Sequence, residues 1–365
     1  MERCSLRKED IMAERVTMQD IANALGVSRN TVSKAINNTG LLADSTREKV
    51  LKKAIEMGYK QFSYMKAADQ PEAKLPFGGA VGEIALLTMC FTGNSNYISI
   101  MLDQFQKEFS QWGYGFTIHR VREEDEENLR LPSSFDREKV SGIICIESFD
   151  NKYCSMLCEL KIPILFVDTP VTGMGEPLKA DAVYPESQSA IYEFIREMVH
   201  RGKRQIGFIG EYMHCQSFFE RYMGYRNALY LLNLPFREEY CVIGNQEGVK
   251  RQGTAEYQEY LMKRLSKLKV LPEVLICAND YVAFDVLCVF KKLGILVPQD
   301  VWICGFDDTV ESKIITPSLT TIHIHSHVMG DSAAYLLISR IKEPDLNFRT
   351  IHAQTSLVYR ESTGD

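Results

Sequence analysis

From residue 83 to residue 304, short apolar runs typical of buried strands alternate with longer segments of helical periodicity. An order of strand, helix and strand predicts a parallel sheet covered by helices on both faces. The runs form two series, one before and one after a helical segment at 190–201. We therefore predict an α/β body of two doubly wound, parallel-sheet lobes, with strands at 84–87, 116–118, 142–146, 164–167, 206–209, 274–277 and 301–304.

The chain has 365 residues, 45% of them hydrophobic, which is enough to build more than one domain. Its first residues are mostly charged, and no run of roughly eighteen apolar residues occurs. We therefore expect neither a signal peptide nor a membrane span, and a cytoplasmic location. The ten cysteines form no CxxC pair, and several, such as Cys145, lie in apolar runs. We therefore predict that the cysteines are reduced thiols, mostly in the core. We expect no metal and no cofactor.

Positive charge is concentrated at the start of the chain. Residues 1–66 contain 12 Lys and Arg against 8 Asp and Glu, whereas the rest of the chain has a balance of −10 within a total of −6. The acidic run Glu123–Glu127 belongs to this second part. DNA attracts basic surfaces and repels acidic ones. We therefore predict that only residues 1–66, which we call the head, contact DNA.

The basic head carries the signals of three short helices. Thr17 and Asp20 form a capping-box pattern, and Gly26 ends the first helix two residues before Ser28, which can cap the second. A third pattern of this kind follows at 45–58. The tight connection between the first two helices predicts a helix-turn-helix.

The polar face of the second predicted helix is a candidate DNA-reading surface. Its side chains can donate hydrogen bonds to base edges and to phosphates. A small helical bundle with an ordinary solvated face would show the same periodicity, so the spacing alone leaves that alternative open. The polar set consists of Arg29, Asn30, Ser33, Lys34 and Asn37.

Polar residues also follow the predicted strands of the body. Open parallel sheets bind ligands beyond the carboxyl ends of their strands, and two facing lobes would enclose a ligand there. Carboxylates, amides and a guanidinium suit a polyhydroxyl ligand such as a sugar, although a strand-end Asp also serves as a helix cap or turn residue. The candidates are Asp168, Ser217, Arg221, Asn279, Asp280, Asp307 and Asp308.

Three alternating histidines, at positions 323, 325 and 327, would share one face of a strand. No carboxylate or cysteine is adjacent to them in the sequence, so we do not predict a metal site there. Cys154 and Cys158 also lack the spacing of a zinc site and are interpreted as partly buried thiols.

The head closely resembles the DNA-binding domain of the lactose-repressor (LacI/GalR) family of bacterial transcriptional regulators. The resemblance rests on the segments 16–37 and 45–50 and on Gly58 with Tyr59. It implies that Arg29, Asn30 and Lys34 read bases in the major groove. The residues that it assigns to phosphate contacts or helix caps are Thr17, Ser28, Thr31, Ser33 and Asn37.

The body resembles the effector-binding domain of the same family in the segments 217–229, 278–280, 297–309, 316–322 and 357–363. This implies a periplasmic-binding-protein-like body with three lobe crossings, near residues 179, 323 and 346. The implied effector contacts are Asp168, Ser217, Arg221, Asn279 and Asp307. The domains expected are the head (1–66), a linker (67–80), a first lobe (81–178 and 324–345) and a second lobe (179–323 and 346–365).

The segment after the head departs from the family pattern. The family has a hinge helix whose leucine wedges into the minor groove and kinks the DNA, whereas this chain has Ala68 there, with Gln61 and Met65 at two other hinge positions. Because alanine is too short to reach between base pairs, we expect the kink to be lost, weakened or made by Met65 or Phe62.

Together, these features predict a sequence-specific DNA-binding regulator, expected to be a repressor that acts as a homodimer on a near-palindromic operator. Its expected effector is a sugar or sugar derivative between the lobes; the alternative is the same regulator responding to a non-sugar ligand or a protein partner. No GxGxxG, GxxxxGKS, GxxxxGKT or GxSxG segment occurs, so we do not expect an enzyme. A sugar-transport protein would need a secretion signal and no helix-turn-helix.

Overall fold

The structure is a computed structural model that describes residues 16–36, 44–57, 59, 81–89, 96–172, 177–244 and 252–365. The chain divides into two compact units between Gly78 and Gly79. Among the described helices, none is long and apolar enough to cross a membrane. Predictions for the following positions lie outside the described residues: Asn37, Gly58, Gln61, Phe62, Met65, Ala68, the linker 67–80, and the side chains of Ser45 and Glu48.

Within its described residues, the head consists of three helices. They are α1 (Met18–Leu25), α2 (Arg29–Ile36) and α3 (Asp44–Met57). Apolar residues recur every three or four positions along each helix, so each has one apolar side that packs against the other two. The buried core contains Ile21 and Ala22 from α1, Val32 and Ala35 from α2, and Val50 and Ala54 from α3.

Side-chain caps fix the ends of the first two helices. The Asp20 N–H donates to Thr17 Oγ1 (3.3 Å) and the Thr17 N–H donates to Asp20 Oδ2 (2.8 Å), which confirms the predicted capping box. Gly26 ends α1 with φ 65°, a conformation that glycine adopts readily. The Thr31 N–H donates to Ser28 Oγ (3.0 Å), so Ser28 caps α2 as predicted.

The body alternates strands and helices along its described residues. Its strands are β1 (Glu83–Thr88), β2 (Gly115–Arg120), β3 (Val140–Ile146), β4 (Ile164–Val167), β5 (Asp181–Pro185), β6 (Ile206–Ile209), β7 (Cys241–Val242), β8 (Val274–Cys277), β9 (Trp302–Cys304), β10 (Thr321–Ile324), β11 (Thr350–Ala353) and β12 (Thr355–Val358). Its helices are α4 (Asn96–Gln111), α5 (Glu123–Glu127), α6 (Asn151–Cys158), α7 (Gln188–His200), α8 (Gln216–Leu231), α9 (Ala255–Leu265), α10 (Asp280–Leu293), α11 (Val310–Ile314) and α12 (Ser326–Lys342).

The strands of the described body form two parallel sheets and a ribbon. The six-stranded sheet of the first lobe has the order β11-β5-β4-β3-β1-β2, and the four-stranded sheet of the second lobe has the order β7-β6-β8-β9. β10 and β12 pair antiparallel in the ribbon. Strands of a parallel sheet are buried on both faces, which explains continuous apolar runs such as 143–146. The predicted fold class, a helical head with two parallel-sheet lobes, is confirmed.

Two lobe crossings lie later in the chain than predicted. β5 and β11 both pair within the sheet of the first lobe, so the boundaries expected at residues 179 and 346 each fall one strand too early. The chain leaves this sheet after Pro185, and it leaves again after Ala353 to enter the ribbon. A buried strand can have the same apolar sequence in either sheet, so the sequence does not identify its neighbours.

A buried ion pair holds β5 in the first lobe. Asp181 is fully buried and accepts hydrogen bonds from Arg340 Nε (3.0 Å) and Nη2 (3.0 Å) and from the Arg349 N–H (2.6 Å). Arg340 lies on α12, which packs against β4 and β5, and Arg349 immediately precedes β11. The bidentate contact therefore links β5, β11 and α12 in one arrangement.

Candidate DNA-binding face and candidate ligand cleft

The predicted DNA-reading residues lie on α2, away from its buried apolar side. Arg29 and Asn30 are exposed in the first turn, and Ser33 and Lys34 are half-buried one turn later. In helix-turn-helix proteins, residues near the start of the second helix meet base edges. An arginine fork fits guanine and an asparagine amide fits adenine, so this face has suitable chemistry for reading a sequence.

Three of the residues predicted to contact phosphates or cap helices are at the ends of helices. Thr17 is the N-cap of α1, and Ser28 caps α2. The Ser28 and Thr31 hydroxyls lie 2.8 Å apart and share a hydrogen bond. Capping is therefore seen for Thr17 and Ser28, while the phosphate contacts of these residues stay predictions.

Four acidic residues lie just beyond strands of the body and adopt a left-handed backbone conformation. The φ angle is 57° at Glu147 after β3, 64° at Asp168 after β4, and 116° and 55° at Asp307 and Asp308 shortly after β9. Non-glycine residues rarely have positive φ, and strained positions of this kind are concentrated at binding sites. All four lie at the edge of a sheet where open parallel folds bind ligands.

Asp168 connects the first lobe to the start of α8 in the second. The Ser217 N–H donates to Asp168 Oδ1 (3.1 Å), and the Gln216 N–H donates to the Thr169 carbonyl (2.8 Å). The Ser217 hydroxyl is buried and has no hydrogen-bond partner. A donor without a partner therefore lies where the two lobes meet.

Arg221, one turn further along α8, is held from several sides. Its Nη1 donates to the Ala278 carbonyl (2.6 Å), and its Nη2 lies 3.5 Å from Asp307 Oδ1. Its guanidinium lies 3.6 Å above the centre of the Phe306 ring, a favourable cation–π arrangement. Its Nε is buried without a hydrogen-bond partner. The guanidinium is therefore fixed in position and still has one unused donor.

Asp307 is buried beside Arg221, and its protonation is strongly affected. Burial raises the pKa of Asp307 to about 8; Arg221 acts in the opposite direction, and the charges of Asp280, Asp168 and Glu147 add to the rise. Because such charge effects decline with distance, these carboxyl groups converge on one region. A strongly shifted pKa in a cleft is typical of a functional site.

Asn279 borders this group and already has two hydrogen bonds. Its Oδ1 accepts from the Val282 N–H (2.9 Å) and caps α10, and its Nδ2 donates to Gln252 Oε1 (3.0 Å). It follows Ala278, the residue whose carbonyl binds Arg221. The structure thus brings Asp168, Ser217, Arg221 and Asp307 together, with Asn279 beside them as a helix cap.

Asp280 and Asp308 also follow strands, but both are bound within the protein. Asp280 accepts a hydrogen bond from the Thr321 hydroxyl (2.5 Å). Burial opposes ionisation of Asp308, yet hydrogen bonds from His323 and Arg360 lower its pKa to about 2. These two carboxyl groups therefore connect the second lobe to the ribbon and the chain end.

Glu147 and an aromatic group are parts of the cleft that the sequence predictions do not include. The ring of His214 lies 5.0 Å from the ring of Phe149 and 5.2 Å from that of Phe218. Phe149 belongs to the first lobe and the other two residues to the second. The position of Glu147 directly after β3 is a usable signal, whereas the aromatic residues lie too far apart in the sequence to suggest contact.

His323 and His325 lie close together, with ring centres 4.8 Å apart. His323 Nδ1 contacts Asp308 Oδ2 (3.0 Å), and His325 Nε2 contacts Ser356 Oγ (2.7 Å). Among the described residues, no group of three or more His, Cys, Asp and Glu side chains could hold a metal ion. The described cysteines are free thiols.

A helix-turn-helix head on the same chain as a two-lobed body with a polar cleft defines the class of ligand-sensing, DNA-binding regulators. Residues 17–61 match the family model for bacterial regulatory proteins of the lacI family, and residues 195–363 match that for the periplasmic binding protein-like domain. The chain thus carries a DNA-binding domain of the lacI family type and a periplasmic binding protein-like domain. It is a DNA-binding transcriptional repressor and not an enzyme.

Known relatives match along almost the whole chain. The HTH-type transcriptional repressors PurR of Erwinia tasmaniensis and of Yersinia pestis are each 26% identical over 351 residues, which cover 96% of this chain and 97% of theirs. A complex of the transcriptional regulator CelR with cellobiose has a TM-score of 0.65 at 22% identity, over 95% of this chain and 100% of that one. The lac repressor dimer bound to operator and the anti-inducer ONPF has a TM-score of 0.60 at 19% identity, over 96% and 99%. These two structures share the fold.

Proposed function

We propose that the protein binds a specific operator through α2 and that a small molecule held between the two lobes changes its affinity for that operator. The observation that supports this most strongly is the pair of unpartnered donors, Ser217 Oγ and Arg221 Nε, buried at the lobe boundary. A buried polar group without a partner costs about 1–3 kcal/mol. A ligand that accepts hydrogen bonds from both groups would recover that free energy only when the lobes are together.

The proposed effector is a sugar or a sugar derivative. Ser217 and Arg221 would donate to its hydroxyl oxygens, while Asp307 and Asp168 would accept from its hydroxyl groups. Asn279 would complete the wall beside Arg221. The CelR structure, whose fold is similar, contains cellobiose, which supports a carbohydrate in a body of this kind.

A non-sugar ligand is the second candidate, and the aromatic group favours it. The rings of Phe149, from the first lobe, and Phe218, from the second, both contact the ring of His214. Aromatic side chains pack well against planar or apolar rings. A thermal-unfolding screen against sugars and non-sugar compounds separates the two candidates. A ligand present at 100 times its dissociation constant stabilises the folded state by about 2.7 kcal/mol, so the compound that raises the Tm identifies the class of effector.

In the proposed complex, Arg29, Asn30 and Lys34 read bases. Five further residues contact phosphates: Thr17, Ser28, Thr31, Ser33 and Asn37.

We also propose that the protein lies in the cytoplasm and forms a homodimer. Two symmetry-related heads would read a near-palindromic operator. The exposed apolar side chains of Val310 and Ile314 on α11 support a contact between subunits.

Selection of bound duplexes from a random DNA library tests operator recognition directly. The full-length protein should enrich a near-palindromic sequence, and the double variant Arg29→Ala, Asn30→Ala should lose that enrichment. Lys53→Ala is the control, since Lys53 lies on α3 rather than on the reading helix and pairs with Glu56 (3.1 Å). If the wild-type protein enriches no sequence, or if the double variant enriches the same one, sequence reading by α2 is wrong.

A further inference from the structure

His352 of the first lobe contacts Glu220 of the second. His352 lies on β11, an edge strand of the six-stranded sheet, and Glu220 lies on α8. Nε2 of the imidazole is 3.4 Å from Oε1 and 3.3 Å from Oε2 of the Glu220 carboxyl group. The side chain of Glu220 is only 14% exposed and that of His352 is 41% exposed. The pair is therefore a direct, partly buried contact between the two lobes.

Neighbouring groups hold both side chains in place. His352 pairs in register with Tyr184 on β5, and the two rings are stacked with their centres 5.3 Å apart. The Tyr184 hydroxyl shares a hydrogen bond with the Thr169 hydroxyl (2.9 Å). In the second lobe, Gln216 Nε2 donates to Glu220 Oε1 (3.1 Å). Each side chain of the pair is thus positioned by groups of its own lobe.

The pair lies one turn along α8 from the hydrogen bonds that join the end of β4 to this helix. The Gln216 N–H donates to the Thr169 carbonyl (2.8 Å), and the Ser217 N–H donates to Asp168 Oδ1 (3.1 Å). Gln216 and Thr169 therefore take part both in these bonds and in the positioning of the pair. Because all of these contacts join the same two lobes, separation of the lobes would break them together.

Four other ionisable groups lie next to the pair. Burial raises the pKa of Tyr184 and that of the Cys215 thiol, so both are neutral between pH 6 and pH 8. Asp168 lies close enough to affect the pKa of Tyr184, and the Glu186 N–H donates to the Ala353 carbonyl (2.7 Å) at the end of β11. The carboxyl groups of Asp168 and Glu186 already accept hydrogen bonds from N–H groups at the starts of α8 and α7.

The charged groups near α12 lie on the other face of the sheet. Successive side chains of a strand point to opposite faces, so Asp181 and Tyr184 on β5 face in opposite directions. Arg340 of α12 and Arg349 both contact Asp181, on the face away from the stacked rings. A second imidazole at the lobe boundary is that of His214, whose ring contacts an aromatic ring of the first lobe.

We propose that His352 and Glu220 form a pH-sensitive contact between the lobes, which holds them together more firmly when the imidazole is protonated. A charged imidazole donates a charge-assisted hydrogen bond to a carboxylate, which is stronger than the bond that a neutral imidazole donates. Histidine ordinarily gains this charge as the pH falls from 8 to 5. The lobes should therefore separate less often at pH 6 than at pH 8. Because the pair is partly exposed, the expected effect is about two- to fivefold.

Hydrogen exchange at the start of α8 tests this contact in the full-length protein without any ligand. The N–H groups of Gln216 and Ser217 bond across the lobe boundary, so they exchange when the lobes separate. Mass spectrometry compares wild-type protein with His352→Gln at pH 6 and again at pH 8, so the effect of pH on intrinsic exchange cancels in each ratio. The variant should exchange about two- to fivefold faster than the wild type at pH 6 and at nearly the same rate at pH 8.

Two further variants and a control assign the effect to the pair. Glu220→Gln should also accelerate exchange more at pH 6 than at pH 8, so either single variant is sufficient if the other does not fold. The double variant His352→Gln, Glu220→Gln should exchange no faster than the faster single variant, since the contact is already lost. His200→Gln replaces an exposed histidine in the last turn of α7 and should match the wild type at both pH values. Asp307 and His214 are present in every variant, so their titration cancels in the ratios.

Three results would overturn the proposal. An acceleration of equal size at pH 6 and pH 8 would mean that the contact does not depend on the charge of His352. Exchange at pH 6 that is unchanged in both single variants would mean that the pair does not hold the lobes together. An equal pH-dependent acceleration in His200→Gln would mean that the effect does not come from this pair. Because no ligand is present, each result is independent of the proposed effector.

Discussion

The head and the body use their polar residues in opposite ways. On α2, Arg29 and Asn30 are exposed, whereas in the cleft Ser217 and Arg221 are only 2% and 4% exposed. A surface that reads DNA must remain open to a partner much larger than itself, but a small ligand gains most from groups that are shielded from water. Substitutions in the head should therefore change DNA binding at little cost in stability, while substitutions in the body should affect stability as well.

The largest expected effect tests the buried side of this comparison. Asp181→Ala should lower the free energy of unfolding of the body by about 3–5 kcal/mol, because it leaves Arg340 buried without its counter-ion. Denaturant unfolding followed by tryptophan fluorescence measures this loss. Asp103→Ala, an exposed position on α4, is the control and should change stability by less than about 0.5 kcal/mol. A loss below 1 kcal/mol for Asp181→Ala would show that the ion pair contributes little.

The exposed side of the comparison is tested by Arg29→Ala. If Arg29 reads a guanine, the variant should lose about 1–3 kcal/mol of discrimination at one operator position, with the Tm of the body unchanged. Competition binding against operators altered one base pair at a time measures this change. An equal loss of affinity for every DNA sequence would instead mean that Arg29 contacts a phosphate.

A pH series tests the environment of Asp307, whose pKa is raised by burial from 3.8 to about 8. Below about pH 4 the Asp307 carboxyl is protonated in both the folded and the unfolded chain, and its contribution to folding stability is fully present. As the pH rises towards 8, the unfolded chain loses this proton while the folded chain keeps it, so the contribution is lost. The stability of the wild-type body relative to Asp307→Asn should therefore fall over this range, by at most about 1.4 kcal/mol per pH unit. Arg221, Asp280, Asp168 and Glu147 are the charged groups that act on this carboxyl. A constant difference between pH 5 and 8 would contradict the raised pKa.

The smallest effect concerns a helix cap in the head. Thr17→Ala removes the side chain that accepts from the Asp20 N–H and should destabilise α1 by about 1 kcal/mol, which corresponds to roughly fivefold faster amide exchange there. Hydrogen exchange followed by mass spectrometry compares α1 with body peptides in the same sample. Thr17→Ser retains the hydroxyl and should exchange like the wild type. Unchanged exchange in Thr17→Ala would mean that the cap does not limit opening of α1.

The features that were predictable from the sequence are mostly local. The capping box at Thr17 and the apolar sides of α1 and α2 depend on residues three or four positions apart, so the pattern itself contains the interaction. The position of Asp307 shortly after a strand can also be predicted from the sequence. Its pairing with Arg221 depends on family resemblance, because 86 positions of chain separate two residues that the fold brings to 3.5 Å.

The sequence does not show which of several chemically similar residues a given side chain will contact. Asp181 links β5 to α12 of the first lobe, yet its partner Arg340 lies 159 positions away in the sequence. Asp307 and Asp308 are neighbours of the same residue type, but one faces the cleft and the other binds His323 and Arg360. Such differences follow from three-dimensional packing, and periodicity or spacing cannot distinguish them.

The central claim is that a ligand in the cleft changes the affinity of the head for its operator. The most direct test is fluorescence anisotropy of the selected operator, with and without the sugar or sugar derivative that raises the Tm most. The account predicts that this ligand changes the operator Kd of the wild-type protein by about 5- to 150-fold, that Arg221→Ala loses the response, and that Arg226→Ala, an exposed arginine on the same helix, retains it. An operator Kd that is the same with and without the ligand, or a response that persists in Arg221→Ala, would contradict the account.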